Sequence, residues 1–307
     1  MAKLALKVDA DTYRGTQIGV PRLVDLLRLH QAGATFLFSL GPDHTGRAIK
    51  RVFRPGFFGK VSRTSVVSHY GLRTLMYGTL LPGPDIGHRC RDVMIATRDA
   101  GFEVGVHCWD HIRWQDGVEK ANADWTAMEM QRAVARFADI FGQTPHVHGA
   151  AGWQMNVHAL RLTQRLGFAY ASDCRGTHPF VPVWNGEIVL CPQLPTTLPT
   201  LDELIGLDDV TDENVHERIL AMTSEPRDHV FTLHAELEGM KLLPVLERLL
   251  ASWREQGYEI VALNDIANRL NVTALPRHEM IRGEVPGRSG TLMLQGEPFL
   301  SSWKEPQ

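Results

Sequence analysis

The chain has 307 residues, a formal net charge of −3 from 32 Lys and Arg against 35 Asp and Glu, and 44% hydrophobic residues. That length suits a single barrel with a large core, and the even charge balance excludes the global basic excess of a nucleic-acid-binding protein. The four cysteines, Cys90, Cys108, Cys174 and Cys191, form no C-x-x-C pair and no disulfide framework.

The N-terminus opens on a strand-like run, Lys3 to Asp9, and not on an apolar segment with a cleavage site, so no secretory signal is expected. No run of eighteen apolar residues predicts a transmembrane helix. Pro21 starts a helix to Gln31, with Leu23, Leu26, Leu27 and His30 on one face and Gly33 ending it. Thr35 to Leu40 reads as a buried strand. After a long interruption come a helix over Arg89 to Ala100 and a strand over Phe102 to Cys108. Asp124 is the expected N-cap of a helix reaching Phe141, closed by Gly142. A strand over His146 to Ala151, a helix over Val157 to Leu166, and strands over Phe168 to Asp173 and Glu187 to Leu194 follow. Helices are expected near Leu201 to Gly206 and Asp212 to Thr223. A strand over Val230 to Ala235, a helix over Leu242 to Gln256 and a strand over Glu259 to Leu263 complete the series.

This alternation predicts an α/β fold with a parallel sheet, and seven or eight such units imply a closed or nearly closed barrel. A doubly wound open sheet is the rival, but no G-x-G-x-x-G follows the first strand. The expected organisation is a barrel over residues 1–270, interrupted at about 44–85. A Gly- and Pro-rich tail, 271–307, packs on the barrel or frays.

Barrels carry their chemistry at the C-terminal ends of strands. Asp9-Ala10-Asp11, His107-Cys108-Trp109-Asp110-His111, Asp173-Cys174-Arg175 and His234-Ala235-Glu236 all stand there. His107 and His111, spaced i, i+4, can grip one metal from a helical turn, with Asp9 or Asp11 as the third ligand. Two histidines and a carboxylate suit zinc, manganese, cobalt or iron without choosing among them. Alternation points Asp9 and Asp11 to one side, so one can bind the ion while the other takes a proton from water. His234, expected on the far side of the barrel, is the candidate acid for a leaving amine; the plainer reading is a core histidine.

These residues, in this order, resemble the polysaccharide deacetylase family, also called the NodB homology family, from about Lys3 to Leu270. The resemblance implies a distorted (β/α) barrel, Asp9 as catalytic base, Asp11, His107 and His111 as ligands of one divalent metal ion (zinc, manganese or cobalt), and His234 as general acid. The longer runs Val8 to Thr16, Ala150 to Trp153, Ser172 to Gly176 and Leu233 to Gly239 are similar to a deformylase branch of that family. The similarity implies hydrolysis of the formamide of an amino-arabinose carried on undecaprenyl phosphate. Formate is released, and the free amino sugar is destined for lipid A, where its charge weakens binding of cationic peptides.

One motif departs. The family's third motif, Arg-x-Pro-x-Gly, has an Arg that orients the base, and here the strand end reads Ala150-Ala151-Gly152-Trp153-Gln154. The expectation is that Arg175 takes over, pairing Asp9 or the substrate phosphate. Asp173 either holds a catalytic histidine in one tautomer or forms a turn before Gly176, and Trp153 lies among the candidate substrate contacts.

Between Asp43 and Asp85 there is no acidic residue, while seven bases occur: Arg47, Lys50, Arg51, Arg54, Lys60, Arg63 and Arg73. Phe53, Phe57 and Phe58 are interleaved with them. A basic, aromatic segment of this kind favours an anionic membrane interface, with Arg51, Phe53, Arg54, Phe57, Phe58 and Lys60 as the expected contacts; a solvated lid or a nucleic-acid patch is the alternative. The expected partners are thus a lipid-linked amino sugar and the cytoplasmic leaflet of the bacterial inner membrane, reached peripherally, with no nucleic acid and no protein partner. The rival functions are N-deacetylation of another amino sugar and a metal- and lipid-binding scaffold without turnover.

Overall fold

The computed structural model describes residues 1–48 and 73–300. Seven parallel strands form the main sheet: β1 (Lys3–Ala10), β2 (Thr35–Ser39), β3 (Glu103–Cys108), β4 (Val147–His148), β5 (Tyr170–Ala171), β8 (His229–His234) and β9 (Glu259–Val261). Their order is β5-β4-β3-β2-β1-β8, with β9 also pairing the start of β1. β5 and β8 do not pair directly. Residues 192–197 run between them: Leu194 N–H donates to the Ala171 carbonyl at 2.7 Å, and Thr197 N–H to the Val230 carbonyl at 3.0 Å. This irregular bridge closes a distorted barrel. The strand expected over Glu187 to Leu194 is therefore two things, a short β7 (Glu187–Ile188) and the start of the bridge. Its run of apolar residues follows burial, which a bridge shares with a strand.

The helices that pack on the outside are α1 (Val20–Leu29), α2 (Arg91–Asp99), α3 (His111–Gly117), α4 (Ala123–Phe141), α5 (Val157–Arg165), α6 (Val215–Met222) and α7 (Leu243–Glu255). Strand alternation divides the apolar residues between two layers. Leu4, Leu6, Val8 and Ala10 of β1 face the helices, where α1 buries Val20, Leu23, Leu26 and Leu27 against them. Ala5 faces the interior with Leu37, Val147, Tyr170, Leu194, Val230 and Val261. Pro21 lies at the start of α1, where its missing N–H costs nothing. The N-cap of α4 is Asn122, whose side chain accepts from Trp125 N–H at 2.9 Å, two residues earlier than expected. Gly142 ends α4 at φ 70.

A second, four-stranded sheet has the order β11-β10-β6-β7, built from β6 (Val181–Trp184), β7, β10 (Arg277–Gly283) and β11 (Leu292–Pro298). Two of its strands, β10 and β11, come from the Gly- and Pro-rich tail, where no strands were expected. The sheet meets the barrel at Arg175, whose N–H donates to the Met293 carbonyl at 2.9 Å and whose carbonyl accepts from Gln295 N–H at 2.8 Å. Among the described residues no helix is long and apolar enough to cross a membrane. All four cysteines are buried and free.

Candidate active site

β1 supplies the centre of the site. Lys7 and Asp9 point inward by alternation, and Asp11 follows at the strand's mouth. Asp11 Oδ1 lies 3.1 Å from His107 Nε2, and its Oδ2 lies 3.2 Å from His111 Nε2. Ligand atoms of the three residues all lie within 4.8 Å of one another. Atoms held ~2.1 Å from a tetrahedral ion sit ~3.4 Å apart, so the spacing fits one cation. The donor set fits too. His107 Nδ1 donates to the Gly149 carbonyl at 2.6 Å, which fixes the tautomer and leaves Nε2 as the lone-pair donor. His107 Nε2 and Asp11 Oδ1 are buried and make no hydrogen bond within the protein. The convergence differs from the helical face expected for i, i+4 spacing. His107 ends β3 and His111 begins α3, so the two rings meet across a strand-to-helix turn, with centroids 5.4 Å apart. Asp110 makes that turn by capping α3, accepting from Arg113 N–H at 3.1 Å.

The loop after β1 is held by Glu236. Its Oε1 accepts from Asp11 N–H at 3.0 Å, Thr12 N–H at 2.7 Å and Thr12 Oγ1 at 2.8 Å. Gly15 makes this possible, because a Cβ there would lie 2.0 Å from Glu236 Oε1. Burial pushes Glu236 up to about 8, with the Asp11 charge adding to it. Glu238 accepts from His234 N–H at 2.7 Å and is pushed by burial up to about 7. The pair thus braces the catalytic loops from behind. Asp11 itself is held far below the ordinary carboxylate range: burial opposes this, but His111, His107 and His234 outweigh it.

His234 stands directly opposite Asp9 in the β1–β8 register, so it is a neighbour of Asp9 and not across the barrel as expected. The reason is closure: β8, near the end of the chain, pairs with the first strand. Burial pulls the pKa of His234 down, but Asp11, Asp202, Glu238 and Asp9 together hold it above the ordinary histidine value. A cation on Asp11 would cancel that carboxylate's share and leave the other three.

One branch of each of two expectations fails. Arg175 does not pair Asp9. Its Nη1 lies 2.9 and 3.0 Å from the two oxygens of Glu203, and its Nη2 donates to the Leu198 carbonyl at 2.8 Å. Asp173 holds neither His107 nor His234. It pairs His148 Nδ1 at 2.7 Å and accepts from Ala150 N–H at 2.8 Å, bracing the turn that carries Trp153. Both come from sequence adjacency: residues 173 and 175 follow β5, four places from β1 along the sheet and separated from it on the other side by the 192–197 bridge and β8.

Trp153 is 1% exposed, with φ 53, a rare conformation for a bulky residue. Its ring is approached by Lys7 Nζ at 4.8 Å, and by the guanidinium carbons of Arg175 at 5.1 Å and Arg288 at 4.6 Å. Its edge meets His234, with centroids 6.5 Å apart. The indole is thus a platform under three cations and beside His234. Arg288, from the turn between β10 and β11, shares Glu203 with Arg175 at 3.3 Å. Sequence reasoning missed Lys7 and Arg288. Lys7 carries a usable signal, a cation inside an otherwise apolar strand, two residues before Asp9. Arg288 carries none. Arg51, Phe53, Arg54, Phe57, Phe58 and Lys60 lie outside the described residues.

A distorted parallel barrel with an Asp-His-His cluster at its mouth defines a class of proteins able to hold one metal ion beside an acid–base pair. A family model described as polysaccharide deacetylase matches residues 4–171. The chain is 35% identical over 295 residues to a protein of Shewanella sediminis described as a probable 4-deoxy-4-formamido-L-arabinose-phosphoundecaprenol deformylase, covering 96% of this chain and 95% of the relative. A protein of Wigglesworthia glossinidia brevipalpis with the same description is 30% identical over 283 residues, covering 92% and 98%. A crystal structure from Mycobacterium smegmatis, assigned to the polysaccharide deacetylases, superposes with a TM-score of 0.63 at 18% identity over 92% of this chain and 96% of that one; this likeness is one of fold. The chain belongs to the polysaccharide deacetylase family and is a hydrolase of amide C–N bonds.

Proposed function

We propose that the protein hydrolyses the formamide of 4-deoxy-4-formamido-L-arabinose linked to undecaprenyl phosphate, releasing formate and the free amino sugar. The observation that carries the chemistry is the placement of Asp9 and His234 on neighbouring strands beside the Asp11–His107–His111 cluster. The relatives at 35% and 30% identity support the choice of substrate. An ion held by Asp11, His107 and His111 would supply Lewis acidity to the carbonyl and to water. Asp9 takes a proton from the attacking water as its oxygen bonds to the formyl carbon. His234 delivers a proton to the nitrogen as the C–N bond breaks. Arg288, over Trp153, is our choice for the substrate's phosphate: Arg175 is held by both oxygens of Glu203 and by the Leu198 carbonyl, whereas Arg288 reaches Glu203 through Nη1 at 3.3 Å.

The amino sugar so released carries a positive charge and serves modification of lipid A against cationic peptides. The protein works at the cytoplasmic face of the inner membrane, reached through the basic, aromatic stretch between Asp43 and Asp85. Sedimentation with anionic and with zwitterionic vesicles tests this. Equal partitioning into both would remove the electrostatic part of the reading.

The decisive experiment is formate release from the lipid-linked sugar in detergent micelles, comparing metal-replete wild type with Asp9→Asn. A large loss of formate release in Asp9→Asn, down to a slow residual rate, is the expected result. No formate, alongside acetate from an N-acetylated analogue, would replace deformylation by deacetylation.

A further inference from the structure

Lys7 is fully buried in the middle of the barrel, an environment in which an ammonium group is costly unless an anion faces it. Its Nζ lies 3.1 Å from Asp9 Oδ2, and this is its one ionic partner among the described residues. The stem reaches that point because a glycine follows β4: a Cβ on Gly149 would lie 3.1 Å from Lys7 Cε and 2.3 Å from Leu37 Cδ1. On the other side the ammonium rests against Trp153 at 4.8 Å. Asp9 Oδ1 is left buried without a hydrogen bond, 3.9 Å from His107 Nδ1.

A carboxylate is free to turn about its Cβ–Cγ bond. An ion pair on one oxygen fixes that rotation and determines where the other oxygen points. We infer that Lys7 is the positioning residue of this site: it holds Asp9 by Oδ2 and so aims Oδ1 at the reacting water. The inference rests on the reading of Asp9 as base. Among the described residues Lys7 forms no ion pair with Asp11, His107 or His111, so its route to the reacting water runs through Asp9.

The test is a double-mutant cycle of Lys7→Met and Asp9→Asn in the metal-loaded enzyme, read as formate release and metal stoichiometry. A base displaced by about 1 Å loses about a hundredfold in rate. Lys7→Met is expected to lower kcat by about that factor, with KM and bound metal unchanged. In the Asp9→Asn background the same change should cost less than about threefold, since there is no base left to aim. A merely structural Lys7 would lower activity by the same factor in both backgrounds. The cycle is read on the slow residual rate of Asp9→Asn. Wild-type kcat in Lys7→Met beside a much slower Asp9→Asn would overturn the inference alone. A rate in Asp9→Asn close to wild type would overturn the base assignment instead. Should Lys7→Met fail to fold, Lys7→Gln keeps a donor of similar reach. It is expected to fold with an intermediate kcat, and a kcat equal to wild type would again refute the positioning role.

Discussion

The two halves of the barrel interior are made by the same strands and are opposite in character. In the lower half, Ala5, Leu37, Val147, Tyr170, Leu194, Val230 and Val261 form a closed apolar cluster, and the Tyr170 hydroxyl donates to Glu103 at 2.6 Å. One turn of the pleat higher, Lys7, Asp9, His107 and His234 face inward. Lys7 Nζ, Asp9 Oδ1, His107 Nε2 and His234 Nδ1 all lack a hydrogen bond within the protein. Buried polar atoms are normally satisfied, so a cluster of unsatisfied ones marks groups arranged for something that arrives later. The lower half supplies stability, and the upper half spends some of it to hold reactive atoms apart in fixed positions.

The comparison breaks if either half does the other's work. His107→Ala should show the largest effect. Loss of a ligand should remove the bound metal and cut formate release by about a thousandfold or more, while the melting temperature of the metal-free protein stays near wild type. Metal content and calorimetry on one sample check it, and retained activity would end the ligand assignment. Leu37→Ala tests the lower half. It empties space that Gly105 and Gly149 leave to this side chain and should cost about 2–5 kcal/mol in denaturant unfolding. The kcat of the folded fraction should not change.

Smaller effects sharpen the boundary. Arg288→Ala should raise KM about tenfold for the lipid-linked sugar and leave a substrate without phosphate untouched. Equal losses on both substrates would argue that Arg288 only supports Trp153. The smallest expected change is a pH dependence. Glu238 has a folded pKa raised to about 7, above its value in the unfolded chain, so the unfolded state gives up its proton first. The cost to the folded state is absent below the unfolded pKa of 4.5 and grows as pH rises to about 7. Glu238→Gln, which keeps an acceptor for His234 N–H, should therefore raise the melting temperature at pH 8 by a few degrees and leave it unchanged at pH 4. An equal shift at both pH values would rule out titration of Glu238 as the cause.

Local chemistry determined most of what could be read from the chain by itself. The period of the apolar residues, with Pro21 and Gly142 as start and stop signals, set the β-α alternation and thus the barrel. The spacing of Asp9, Asp11, His107 and His111 pointed to a metal-ready cluster, because a strand end and the following turn need few residues to bring ligands together. Pairing between distant segments was decided only by the tertiary structure. That β8 returns to lie beside β1 puts His234 opposite Asp9. That β5 lies four places from β1 in the sheet ties Asp173 to His148 and Arg175 to Glu203. The tail, too polar and glycine-rich to signal strands, becomes a sheet only because β6 offers it an edge, and Arg288 reaches the site on the turn this makes. Lys7 shows the division most plainly. Its place on the inner face of β1 follows from alternation, but only the closed barrel removes every other anion from its reach and leaves Asp9 as its partner among the described residues.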